Sequence, residues 1–201
     1  MKKIPTIFER DWNGDRSRVL DQINPAAQWV FDGEGVATQK LDGTCCMVRD
    51  LKLFKRRELR ESDYANGAAP DGFELADHDI ETGKVVGWVP VMDGPEDRWH
   101  NEALRTAEAE NQSLADCTYE LVGPKIQGNP EGDQRHRLVA HDARLQIGVV
   151  FPRTFEGIRA FLDGNDMEGI VFHHPDGRMA KIKGKDFGLK RSTLTIGTTD
   201  E

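Results

Sequence analysis

Lys40 stands in the run VATQKLDGTCCMV, a hydrated cation among residues that suit a β-strand, with Asp42 and Gly43 close behind it. A lysine amine that has lost its proton is a nucleophile, and a nearby carboxylate suits a small hard cation. Lys-x-Asp-Gly alone is a weak signal, and a solvated strand lysine is the ordinary reading. Two further stretches concentrate cations: KLFKRRELR at 52–60, with five cations and one acid, and GRMAKIKGKDFGLKR at 177–191, with six and one. In the second, alternation puts Met179, Lys181 and Lys183 on one strand face and Ala180 and Ile182 on the other. An apolar, anchored face therefore backs two ammonium groups about 6 to 7 Å apart. The plain alternatives are protective charges on an edge strand for Lys181 and Lys183 and a solvated face for Arg56 and Arg57. Glu120, in TYELVG, interrupts a strand that otherwise reads as buried. Glu168 is the second residue of MEGIVFHHPDG, a strand running into a Pro-Asp-Gly turn, so it lies near the mouth of a hairpin with the Lys181 strand.

These residues need a scaffold of short strands. Alternating or β-branched runs recur as VATQKL, TCCMVR, KLFKRREL, KVVGWVPV, CTYELVG, RLVAHD, LQIGVV, GIVFHH and MAKIKG, punctuated by 20 Gly and 9 Pro, which predicts a largely antiparallel sheet protein. One helix is expected over about 95–111, with Trp99, Ala103 and Ala107 on one face, and another over 154–163, capped by Thr154 and stopped at Gly164. The class is α+β. Residues 61–83 hold seven acids and no Lys or Arg and read as an acidic surface excursion.

At 201 residues the chain is the size of one large domain. Its net charge of −8 argues against a general nucleic-acid coat protein, so a polyanion must be met by a local basic patch. Cys45, Cys46 and Cys117 form neither a disulfide framework nor a CxxC metal signature, and Cys45 and Cys46 read as small buried residues. His173 and His174 beside Asp176, and Asp77-His78-Asp79, imitate metal sites but lack a partner at reliable spacing. With no apolar leader or span in the sequence, a reduced cytoplasmic setting with no membrane is the expectation.

In chain order the candidates are Lys40-x-Asp42-Gly43, Arg56-Arg57, Glu120, Glu168-Gly169 and Lys181-x-Lys183. This order resembles the collinear motifs of the covalent nucleotidyltransferases, the superfamily of polynucleotide ligases and mRNA-capping enzymes: KxDG, a downstream Arg, a Glu-bearing strand, EGxV and KxK. The wording KLDGTCCMVRD, GWVPV, GPEDRWHNEA, YELVGPKIQGNPE and KIKGKDFGLKR is similar to a compact group of ATP-dependent RNA 5′-to-3′ ligases, over most of the chain.

The resemblance implies a ligase adenylation domain of two antiparallel β-sheets with flanking helices and the nucleotide bound between them. It implies that Lys40 attacks the α-phosphorus of ATP to form lysyl-AMP, that AMP passes to an RNA 5′-phosphate, and that a 3′-hydroxyl then displaces it. Lys181 and Lys183 would neutralise phosphate charge and, with bound metal, push the proton off Lys40. Glu168 and Asp42 would hold Mg²⁺, with Mn²⁺ as a substitute. Glu120 would accept from the ribose hydroxyls, Gly43 would let the backbone pass the phosphates, Val171 would lie under the adenine, and Thr38 and Gln39 would read its edge. His141 is a candidate neighbour of a bound adenosine but is not counted among the site residues. Arg56 or Arg57 would grip ribose or an RNA 5′-phosphate; only one of two adjacent strand residues faces the site, and Arg56 is preferred unless a bulge intervenes. Eighteen residues follow Lys183, so the expectation is a single domain over 1–201 without the C-terminal OB domain of DNA ligases and capping enzymes. Two alternatives stay open: a nucleotide- or RNA-end-binding protein of the same fold without catalysis, and a DNA-joining or GTP-using enzyme.

Overall fold

The computed structural model describes residues 4–80, 82–142 and 145–191. Its strands are β1 (Phe8–Arg10), β2 (Val19–Ile23), β3 (Val36–Lys40), β4 (Thr44–Arg49), β5 (Lys52–Arg60), β6 (Glu74–Asp79), β7 (Lys84–Pro90), β8 (Thr118–Val122), β9 (Arg137–Ala140), β10 (Gly169–His173) and β11 (Met179–Lys183). The α-helices are α1 (Gln28–Phe31), α2 (Glu61–Ala65), α3 (Arg98–Ala109) and α4 (Phe155–Asp163). The chain forms two compact units, one of Asp42–His141 and one of Ile4–Leu41 with the described residues from Asp142 onward.

In the Asp42–His141 unit, six strands form one antiparallel sheet in the order β6-β7-β5-β4-β8-β9. Alternation puts Cys46, Val48, Leu53, Tyr119, Leu121 and Leu138 on one face, where they form a core with Ala103 and Ala107 of α3. Trp99 packs against the same core, as its i, i+4, i+8 spacing with those alanines requires. The start of α3 is tied to the sheet by an ion pair between Lys55 and Asp97, whose carboxylate also accepts from Met92 N at 2.9 Å. Asp97 is fully buried. The β4–β5 hairpin turns through Asp50 and Leu51, at φ 50° and 60°, the left-handed pair that matches strand twist but that Leu rarely adopts.

In the second unit, β10 is the centre of a three-stranded sheet, β11-β10-β3, antiparallel on both sides. One face carries Ala37, Ile170, Phe172, Ala180 and Ile182, which pack with Ile7, Phe8, Trp29, Ile158 and Leu162. Thr154 caps α4 by accepting from Gly157 N, and Ile158 and Leu162 are the stripe that the sheet buries.

The mixed architecture with antiparallel sheets and few helices is as the sequence predicts, with three corrections. Among the described residues there are three sheets, not two, because β1 and β2 pair as a separate ribbon. Residues 61–83 are not merely an excursion: α2 and β6 lie there, and β6 hydrogen-bonds to the open edge of β7 despite its acidic sequence, since an edge strand leaves its side chains in water. LQIGVV is not a strand. Only Gln146 bridges to Thr38, and the run leaves Val149 and Val150 exposed. Gly164 does end α4, but in a right-handed conformation at φ −85°.

Candidate active site

Three residues far apart in sequence converge in the unit that holds β3, β10 and β11. Gly169 pairs with Lys40 on one side and Lys183 on the other, and Glu168 immediately precedes it. Both lysines donate to the Glu168 carboxylate, Lys40 to Oε2 and Lys183 to Oε1. The Glu168 side chain is 11% exposed. Burial pushes its carboxyl up, but the Lys40 charge and the hydrogen bonds from Lys183 and Lys40 outweigh burial and hold the group below the ordinary glutamate value of 4.5.

The glycine is required by contact. A Cβ at Gly169 would lie 2.1 Å from Ile182 O and 2.9 Å from Lys183 Cα. Lys183 is held by the turn that follows it: its backbone N–H donates to buried Asp186 at 2.9 Å, and Asp186 is paired with Arg10 of β1 at 2.9 Å. Gly184 N donates to Glu168 O at 2.9 Å, so one short 3-10 turn fixes both ends of the ion pair. Arg10 and Asp186 carried no motif signal in the sequence.

The next row of the same face is Thr38, Val171 and Lys181, in direct register. The Thr38 hydroxyl donates to Val171 O at 3.1 Å and lies 3.0 Å from His173 Nε2. Lys181 also anchors the chain start, with Ile7 N donating to its carbonyl and its own N–H donating to Pro5 O. Gln39 pairs with Ile170 and lies on the opposite, core-side face from Lys40, so the structure does not bring it beside the other candidates. Lys40 is in direct contact with the Glu168 carboxylate, and Lys183 meets the other oxygen of the same group.

A second group lies in the Asp42–His141 unit. Glu120 and Cys45 are cross-strand partners, and Arg56, paired with Trp88, is on the same face by alternation. Arg57 is on the α3 face, where burial lowers His100 below its ordinary 6.5, with Asp97 opposing and Lys55 and Arg57 adding to the shift. Arg56 Nε is buried and makes no hydrogen bond among the described residues. Glu120, 8% exposed, lies 3.0 Å from His141 Nε2, and His141 Nδ1 lies 3.1 Å from Thr118 Oγ1. Sequence reasoning left His141 out of the site residues because a lone histidine just beyond a strand has no diagnostic spacing. Cys45 is half-buried on this face, while Cys46 is fully buried in the core on the other. Gly43 is needed for a close approach to β8: a Cβ there would sit 2.3 Å from Leu121 O. The Asp42 backbone N–H donates to Glu131 Oε1 at 2.8 Å.

The two imitation metal clusters do not converge. Asp77, His78 and Asp79 alternate faces along β6. His174 meets Glu34 at Nε2 and Asp176 at Nδ1, opposite edges of its ring. Among the described residues no helix is long and apolar enough to cross a membrane.

No protein-family model matches the chain. It is 27% identical to the protein named RNA ligase 1 of Danio rerio, over 94% of this chain and 81% of that one. It is 24% identical to RNA ligase 1 of Pongo abelii and to RNA ligase 1 of Mus musculus, in each case over 77% of this chain and 67% of the relative. Across most of its length, therefore, the chain is similar to proteins named RNA ligase 1, in agreement with the RNA-ligase resemblance carried by stretches such as KLDGTCCMVRD, YELVGPKIQGNPE and KIKGKDFGLKR.

Proposed function

We propose that this chain is an ATP- and Mg²⁺-dependent RNA ligase with a nucleotidyltransferase fold, joining RNA 5′-phosphate and 3′-hydroxyl ends through a lysyl-AMP intermediate. The observation that carries the reading is the convergence of Lys40 and Lys183 on Glu168, with Lys181 in the adjacent row of the same sheet face. A nucleophile, two further cations for phosphate and one ionised carboxylate are the parts that nucleotidyl transfer to an amine needs.

In the first step Lys40 Nζ leaves its ion pair with Glu168, sheds a proton to solvent, bonds to the α-phosphorus of ATP and releases a second proton to solvent as the phosphoramidate forms. The α–β bridging P–O bond breaks, and pyrophosphate departs with the electron pair. Lys183 and Lys181 take up the charge that grows on the phosphate oxygens. The Glu168 carboxylate, ionised and offering hard oxygen donors, fits Mg²⁺ or Mn²⁺, as does Asp42; a bound cation would supply neutralisation of phosphate charge. Glu120 accepts from the ribose hydroxyls and Arg56 grips the ribose or the RNA 5′-phosphate, with Thr38 and Val171 at the base. Gly43 shapes the loop after the nucleophile. A 5′-phosphate oxygen then takes AMP from Lys40, and a 3′-hydroxyl displaces AMP to close the phosphodiester.

The test is incubation of the purified chain with α-labelled ATP and Mg²⁺, without RNA. A covalently labelled band is expected, and Lys40→Ala should remove it. A band of undiminished strength from the alanine variant refutes the assignment, and ATP binding without any adduct refutes the enzyme. A labelled chain then offered RNA and DNA 5′-phosphate ends, with GTP as competitor, reports the substrate.

A further inference from the structure

We propose that Cys45, Glu120 and His141 form a binding site for one thiophilic divalent cation of the Zn²⁺ class, chemically distinct from the Mg²⁺ proposed at Glu168. Their donor atoms, a thiol sulfur, a carboxylate oxygen and an imidazole nitrogen, lie within 4.8 Å of one another. Among the described residues this is the one group of three such side chains so closely gathered. Donors around a tetrahedral zinc are separated by roughly 3.3 to 3.8 Å, given bonds of about 2.0 to 2.3 Å. The widest donor pair, within 4.8 Å, therefore has to close by about 1.0 to 1.5 Å, within reach of side-chain rotation.

The framework is already ordered. Cys45 and Glu120 are paired across two inner strands of a six-stranded sheet. His141 is tied down by its backbone N–H, which donates to Thr118 O at 3.1 Å. Its Nδ1 meets Thr118 Oγ1 at 3.1 Å, which turns Nε2 toward Glu120. A histidine whose remote nitrogen is held by a second hydrogen bond is the arrangement that orients imidazole at zinc. Glu120 is buried, and a buried carboxylate gains from a full positive partner.

The donor set decides which cation. A thiolate beside an imidazole selects zinc-like ions over magnesium, which prefers oxygen donors and keeps its waters. Three protein ligands leave the fourth position open, as at an exchangeable rather than a purely structural site. One consequence rests on the function proposed above: a cation held by Glu120 withdraws that carboxylate from the nucleotide, so Zn²⁺ is an inhibitor.

The experiment titrates the metal-stripped protein with Co²⁺, a spectroscopic stand-in for Zn²⁺, without ATP. A thiolate-to-cobalt charge-transfer band is expected at one equivalent, displaced by Zn²⁺, absent in Cys45→Ser and retained in Cys117→Ser. Glu120→Gln and His141→Ala should each weaken Co²⁺ binding at least tenfold. Unchanged melting of Cys45→Ser keeps a lost band from being a folding defect. Absence of the band in the wild-type chain, or its persistence in Cys45→Ser, overturns the site. In a second arm, Zn²⁺ should suppress labelling of Lys40 by ATP, at concentrations at least tenfold lower for the wild type than for Cys45→Ser; equal sensitivity overturns the shared use of Glu120. A cobalt band in a chain that never labels with ATP counts against the ligase reading and leaves the cation site standing.

Discussion

Replacing Gly169 by alanine puts the geometry of the lysine pair to a direct test. The new Cβ would stand 2.1 Å from Ile182 O and 2.9 Å from Lys183 Cα, both backbone atoms that cannot swing aside. Restoring ordinary contact requires β10 and β11 to part by about 1 Å at this register. Overpacking of this kind costs about 1 to 3 kcal/mol, and a denaturant titration should show it as a lower midpoint at unchanged slope. Because Gly169 pairs with both Lys40 and Lys183, the same displacement moves the two ammonium groups relative to Glu168. A 1 Å misplacement at a reacting centre is worth roughly 100-fold in rate, so labelling by ATP under conditions where the variant stays folded should fall by about that factor. Gly164→Ala is the control: its Cβ would meet nothing closer than 3.5 Å, at a right-handed φ of −85°, and both readouts should match the wild type. Wild-type stability and labelling in Gly169→Ala would refute the argument that the glycine is required by contact.

Three further outcomes follow from the structure. Glu168 titrates below its ordinary 4.5 in the folded chain, so its ion pairs contribute stability above that pH that is lost as pH falls through the lowered value; the stability gap between wild type and Glu168→Gln, followed by denaturation across acid pH, should be constant above 4.5 and shrink below it. Lys55→Met removes the cation facing fully buried Asp97 and should cost about 3 to 5 kcal/mol, whereas substituting the exposed Lys84, which pairs with Glu58, should cost under about 1 kcal/mol. Leu51→Gly relieves a left-handed residue that is 93% exposed and buries nothing, and should stabilise the chain by about 1 kcal/mol in thermal or chemical denaturation.

Local pattern carried most of the strand assignments. Period-two alternation is a short-range property, and eight of the nine runs named from it are strands. LQIGVV failed because a β-branched run becomes a strand only when a partner edge lies along it, and beside β3 only one bridge forms. β6 was hidden for the complementary reason: its main chain pairs with β7 while its side chains, half of them acidic, stay exposed or only partly buried. The ribbon of β1 and β2 was passed over: β1 has only three residues, and VLDQI of β2 buries Val19 alone, so no alternation marks it.

By itself the sequence determined the order of the chemical groups, the faces on which strand neighbours point, and the similarity to proteins named RNA ligase 1. Gln39 shows how far that reaches, since adjacency to Lys40 already required the opposite face. Only the tertiary structure decided which distant residues meet. Glu168 reaches Lys40 across 128 residues through the register of β3 on β10, and His141 and Cys45 meet Glu120 because β4, β8 and β9 are neighbours. The physical reason is range: alternation is imposed by bonds along one strand, whereas register is chosen by the packing of whole faces, where a shift of one residue would carry Lys40 and Lys183 into the core and Ile170 and Ile182 into water.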